Sequence, residues 1–143
     1  MLRTFTLAAL LSALALPVLA DVTHHPHPNP NLPFAEAVDY NGVLYMSGQI
    51  ATGPDGKIVP GGMAEQARQT MDNIKAVTEK YGSHMDKILK CTVFLDDMSQ
   101  WGDFNKVYVT YFPKGKLPAR SALGADGLAL GALLEVECIA AVD

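Results

Sequence analysis

The chain has 143 residues, 11 Lys+Arg against 15 Asp+Glu, a formal charge of −4 and no basic run. Nucleic-acid recognition rests on clustered Lys and Arg, so this balance argues against nucleic acid as a main partner. The length, and the lack of an internal repeat or second composition zone, indicate one domain.

The first twenty residues read as a secretory signal peptide: Arg3 supplies the charge, Phe5 to Leu16 the apolar run, and Val18-Leu-Ala20 the small-residue cut site. The apolar run is short for a membrane span, which needs about 20 residues, so an uncleaved anchor is the lesser reading. Cleavage after Ala20 leaves a chain of 123 residues, 21–143, secreted or periplasmic, with no membrane attachment. Loss of Arg3 leaves ten cations against fifteen anions and a formal charge of −5.

Residues 21–31 are polar and Pro-rich, which predicts an extended, solvated arm. Its His24, His25 and His27 invite a metal-site reading, but an arm has no scaffold to fix ligands, so no metal is expected. The domain proper is placed at 32–143, with regular structure from about Ala37. There Ala37–Tyr40 and Val43–Ser47 flank Asn41-Gly42, a two-residue turn that matches strand twist and predicts a hairpin. Ser47-Gly-Gln49 then lets the backbone turn or approach something closely, and Gly53-Pro-Asp-Gly56 is a turn.

Ala67, Met71, Ile74, Thr78 and Tyr81 recur at helical spacing between Gly62 and Gly82, which predicts an amphipathic helix covering a sheet. Lys87–Leu95 reads as a strand with Leu89, Cys91, Val93 and Leu95 on one side. Asp97 or Ser99 caps a second helix over Gln100–Phe112, with Trp101, Phe104, Val107 or Tyr108, and Tyr111 inward. Two final strands cover Pro118–Gly124 and Leu133–Val142. In the second, Leu134, Val136, Cys138, Ala140 and Val142 alternate with a face holding Glu135, Glu137 and Ile139. The pattern is α+β, two helices on one face of a mixed sheet. Several strands are apolar on both faces, which predicts a homo-oligomer burying the second face. Cys91 and Cys138 lie within apolar patterns and read as buried thiols, although an exported chain permits a disulfide.

No metal-ligand spacing, phosphate loop or hydrolase elbow occurs, and Ser47 and His84 lack the setting of a Ser–His nucleophile. Arg120 with Glu135, and Glu137 beside it, remains. A charge on a half-apolar strand needs a partner or a ligand. The pair is therefore either an ionic brace between two strands, or an Arg fork for a carboxylate beside an acid that handles a proton or water.

Ser47-Gly-Gln-Ile50, Gln66-Ala-Arg-Gln-Thr-Met-Asp-Asn-Ile74, Phe94-Leu-Asp-Asp-Met98, Phe104-Asn-Lys-Val-Tyr108, Pro118-Ala-Arg-Ser121 and Glu135-Val-Glu-Cys-Ile-Ala140 together resemble the RidA/YjgF family, over about Leu32 to Val142. The resemblance implies a chorismate-mutase-like fold, a homotrimer around a central barrel, and ligand clefts between subunits. It implies hydrolysis of 2-imino acids or their enamines, such as 2-iminopropanoate and 2-iminobutanoate, to 2-keto acids and ammonia, without a cofactor. Arg120 would bind the substrate carboxylate and Glu135 activate water. Phe34, Ser47 and the backbone near Ala122 would complete the ligand site. Phe34 stands where the deaminase branch commonly has Tyr, Ala122 where it often has Cys, and Glu36 places a negative charge where that branch has Gln. These differences, and export, keep open a second reading: a non-catalytic binder of small carboxylates or a chaperone-like exported trimer.

Overall fold

The computed structural model describes residues 21–142, so the signal-peptide segment lies outside the described residues. Six strands form one sheet: β1 (Val22–Pro26), β2 (Ala35–Tyr40), β3 (Val43–Met46), β4 (Ile88–Leu95), β5 (Ala119–Gly124) and β6 (Leu134–Ala141). Their order is β1-β2-β3-β6-β4-β5. β4 and β5 run parallel and the other pairs antiparallel. Two helices, α1 (Met63–Lys80) and α2 (Trp101–Tyr108), accompany the sheet, and a turn of 3₁₀ helix (Val109–Tyr111) extends α2.

Asn41 and Gly42 take φ of 53° and 72°, so the turn between β2 and β3 has the primed geometry the dipeptide predicts. In α1, Met63, Ala67, Met71, Ile74 and Val77 are buried on one stripe. They join a core with Leu44 and Met46 of β3, Val93 and Leu95 of β4, and Leu134, Val136 and Ala140 of β6. The Gly62 N–H donates to the Glu65 carboxylate at the start of α1, and Gly82 ends it with φ 80°. Asp97 accepts the Ser99 N–H at 2.8 Å ahead of α2, the expected cap.

Four expectations change. The arm is not a free lead-in, because Val22–Pro26 pairs with β2 as an edge strand and regular structure starts there. Pro26 sits at the register shift that ends the pairing, where its missing N–H matters least. Leu89 is 49% exposed rather than buried, because a bulge between Ile88 and Lys90 advances the strand by one residue. Trp101 is likewise exposed in large part, and the inner stripe of the second helix is Phe104, Val107, Tyr108 and Phe112. Finally, Cys91 and Cys138 form a disulfide. They are directly opposed on neighbouring strands with Cα atoms 4.1 Å apart, a relationship that neither strand's own pattern reveals.

On the face away from the helices, Tyr45 pairs with Ile139, Phe94 with both Glu135 and Leu123, and Thr92 with Glu137. Tyr45 and Leu123 are exposed, so this face is apolar, carboxylate-bearing and uncovered within one chain.

Candidate functional site

The last two strands of the chain are not neighbours: β4 lies between them, and this decides where the two candidate residues point. Arg120 is registered against Cys91, which is registered against Cys138. Laterally paired residues share a face, so Arg120 points to the helix side, with the disulfide. Glu135 is three residues from Cys138 and points to the other side. The ionic brace between two strands is therefore not formed.

Arg120 is instead held by α2. Its Nη1 donates to the Asn105 side-chain oxygen at 2.7 Å. Its guanidinium lies 4.7 Å from the Tyr108 ring centre and 5.8 Å from those of Trp101 and Phe104. These four residues recur at helical spacing, so one face of α2 cradles the cation. Burial pushes the Tyr108 phenol up to about 12, which keeps a neutral ring beneath the guanidinium. Ala122, two residues on, shares the Arg120 face and packs partly against the core.

Glu135 meets a different neighbour. Gln49 and Val136 exchange backbone hydrogen bonds of 2.8 and 2.9 Å, which seats Ser47-Gly-Gln49 beside β6. A Cβ on Gly48 would fall 1.9 Å from Glu135 Oε1, so only glycine admits the carboxylate there. Burial, and then the Glu137 charge, raise the Glu135 proton affinity. Among the described residues its carboxylate has no hydrogen-bond or ion-pair partner. It lines a cavity of about 600 Å³ with Gly48, Gln49, Phe34, His27 and Leu130. A groove of about 550 Å³ between the helices is less suited to chemistry, because its charges pair with each other as Arg68–Glu65 and Lys106–Asp103.

Phe34 lines this cavity, while Ser47 donates its hydroxyl to the Ala35 carbonyl at 2.7 Å and braces the strand ends. Glu36 does not add charge to the site. Its buried carboxylate accepts hydrogen bonds from Lys80 and the Tyr81 hydroxyl. Burial alone would raise its proton affinity, but these partners outweigh that and hold the carboxyl below the ordinary 4.5. A depressed folded value means stability present above 4.5 and lost as the pH falls through the folded value. Urea midpoints taken downward from neutrality should drop in that acid range, and Glu36→Gln should flatten the drop. Lys80 is half exposed, so the slope will be modest. Among the described residues no group of three or more His, Cys, Asp or Glu side chains is placed to hold a metal. Among the cavity residues that the sequence pattern does not mark are His27 and Leu130; His27 arrives there because the segment before it pairs as β1.

The endoribonuclease L-PSP family model matches residues 24–142. A mouse 2-iminobutanoate/2-iminopropanoate deaminase is 38% identical over 109 residues, covering 76% of this chain and 80% of the relative. The crystal structure of yeast YEO7 superposes with a TM-score of 0.79 at 36% identity, covering 86% of this chain and 100% of that one. The Rid-family protein YyfA of Yersinia pestis gives 0.76 at 38% identity, covering 83% and 94%. The order of its elements, the extent of the family match and these likenesses together establish that the chain belongs to the endoribonuclease L-PSP family, the RidA/YjgF proteins.

Proposed function

We propose that this protein is an exported imine/enamine deaminase, a homotrimer that hydrolyses 2-imino acids to 2-keto acids and ammonia. The observation that carries the reading is Glu135: an unpaired acid of raised proton affinity, pressed against Gly48 in a cavity. Membership of a family that includes imine deaminases supports it.

Arg120 and Glu135 point to opposite faces of one chain, so a working pair comes from two subunits. The uncovered face and the unpaired edge of β5 favour such packing. The Arg120 fork holds the substrate carboxylate, and Glu135 holds a water. As the water oxygen bonds to the C=N carbon, Glu135 takes one proton and the imine nitrogen receives another from solvent. The tetrahedral carbinolamine then collapses. Glu135 passes its proton to the amino nitrogen, the hydroxyl proton goes to solvent, the C=O forms, and the nitrogen leaves as ammonia. No cofactor enters this scheme.

Purified mature protein should accelerate ammonia release from 2-aminoacrylate generated in situ. Gly48→Ala should reduce that rate by about 10²-fold, since the added Cβ must displace the carboxylate that positions water. A thermal melt of the same variant will separate misplacement from unfolding. Phe34, which offers no hydroxyl to the cavity, favours one competing reading, a non-catalytic carboxylate binder. Calorimetric binding of 2-ketobutyrate with ammonia release at the buffer rate would select it.

A further inference from the structure

We propose that His27 is a ligand-binding residue of the Glu135 cavity, its imidazole donating a hydrogen bond to the bound carboxylate-bearing molecule. The proposal rests on reading that cavity as the ligand site. Three observations lead to it.

First, the N-terminal segment carries His27 to the cavity. β1 is fastened along β2 through its pairing from Val22 to Pro26, and His25 stacks on Tyr81 with ring centres 4.1 Å apart. His27 follows and becomes part of the cavity wall. The loop beyond it is tied down by its own hydrogen bonds, from Asn31 N–H to the Asn29 side chain and from Leu32 N–H to the Asn29 carbonyl. A side chain so held loses little further freedom when it meets a ligand.

Second, the ring is oriented and its proton assigned by its partner. His27 Nδ1 accepts the Asn29 backbone N–H at 3.0 Å, so the neutral imidazole carries its proton on Nε2. Nε2 has no hydrogen-bond partner among the described residues. A fixed donor on a cavity wall awaits an acceptor.

Third, His27 stands beside the position that lacks one. Its ring meets Phe34 edge to face, with centres 5.5 Å apart, and Phe34 offers the cavity only hydrocarbon. The Glu36 carboxylate, close enough to His27 to interact electrostatically, is already occupied by Lys80 and Tyr81. The imidazole thus supplies, from the neighbouring segment, the polar contact that residue 34 cannot make.

The test is calorimetry with 2-ketobutyrate on mature wild type, His27→Leu, His27→Gln, Phe34→Tyr and the double variant His27→Leu/Phe34→Tyr, with 2-aminoacrylate turnover on the same samples. His27→Leu should weaken binding about tenfold, the effect of one lost hydrogen bond to a charged ligand. His27→Gln, which keeps a donor, should recover part of it. Phe34→Tyr should help little in the wild-type background and markedly in His27→Leu, because both groups then serve one acceptor. Equal affinities for wild type and His27→Leu, or equal Phe34→Tyr gains in both backgrounds, overturn the proposal. If His27→Leu does not fold, the ¹⁵N signal of Nε2 in wild type decides: it should shift on saturation with 2-ketobutyrate, and an unchanged signal overturns the proposal. Wild type that turns over 2-aminoacrylate with His27 unengaged removes only this inference. Wild type that neither binds nor reacts removes the ligand-site reading as well.

Discussion

Arg120→Ala and Glu135→Gln should each reduce ammonia release from 2-aminoacrylate by about 10²-fold or more, by different routes. In the proposed mechanism Arg120 supplies binding. Without it the substrate carboxylate enters a half-apolar cleft with no counter-ion, so the loss should fall mainly on KM. Glu135 is proposed to act on the water, so its amide should bind substrate normally and lose kcat. Arg120→Lys should not rescue the first variant. A lysine keeps the charge but neither the planar fork nor the stacking on Tyr108, Trp101 and Phe104. Steady-state rates for the four proteins, with circular dichroism melts, check this. Glu135→Gln with unaltered kcat would remove the acid from the mechanism.

Loss of the Cys91–Cys138 disulfide should cost about 4 kcal/mol, the chain-entropy value for the 47-residue separation it closes. Cys91→Ala/Cys138→Ala should accordingly melt roughly 10 °C or more below wild type under non-reducing conditions. The effect extends beyond entropy, since both cysteines are buried on β4 and β6 and removal of the two sulfurs would open a cavity. Thiol titration of denatured wild type, before and after reductant, establishes the starting state: no free thiol before and two after. A bridge of this kind suits an oxidising compartment, so it accords with the proposed export. Reduced wild type that melts with the oxidised protein would show that the bridge contributes nothing.

The parts of the fold that were legible in the sequence are those specified locally. Asn41-Gly42 dictates its own turn, Met71 and Ile74 mark one helix face, and the alternation Leu134, Val136, Cys138 marks one strand face. What stayed hidden depends on which strands become neighbours. Arg120 and Glu135 can be recognised as strand charges, but their opposite directions follow from β4 lying between β5 and β6. The disulfide and the Lys80 partner of Glu36 are the same kind of fact, contacts between segments 47 and 44 residues apart. β1 leaves no apolar signature, because Pro26, Pro28 and Pro30 mask an extended run that pairs through its backbone, and the place of His27 is hidden with it. At the site, family resemblance named Arg120 and Glu135, and the structure adds the physical reasons each can serve: the aromatic cradle under one and Gly48 beneath the other.

The central claim is that Arg120 of one subunit works with Glu135 of another. Subunit mixing tests it most directly. Arg120→Ala and Glu135→Gln proteins, each strongly impaired, are unfolded, mixed in equal amounts and refolded together. If the site spans two subunits, about a quarter of the sites receive one intact residue from each parent and recover activity, as random assembly in a ring requires. Ammonia release should reach near that fraction of the wild-type rate, well above the residual rate of either variant refolded alone. A correctly assembled mixture that stays as inactive as its parents would contradict it.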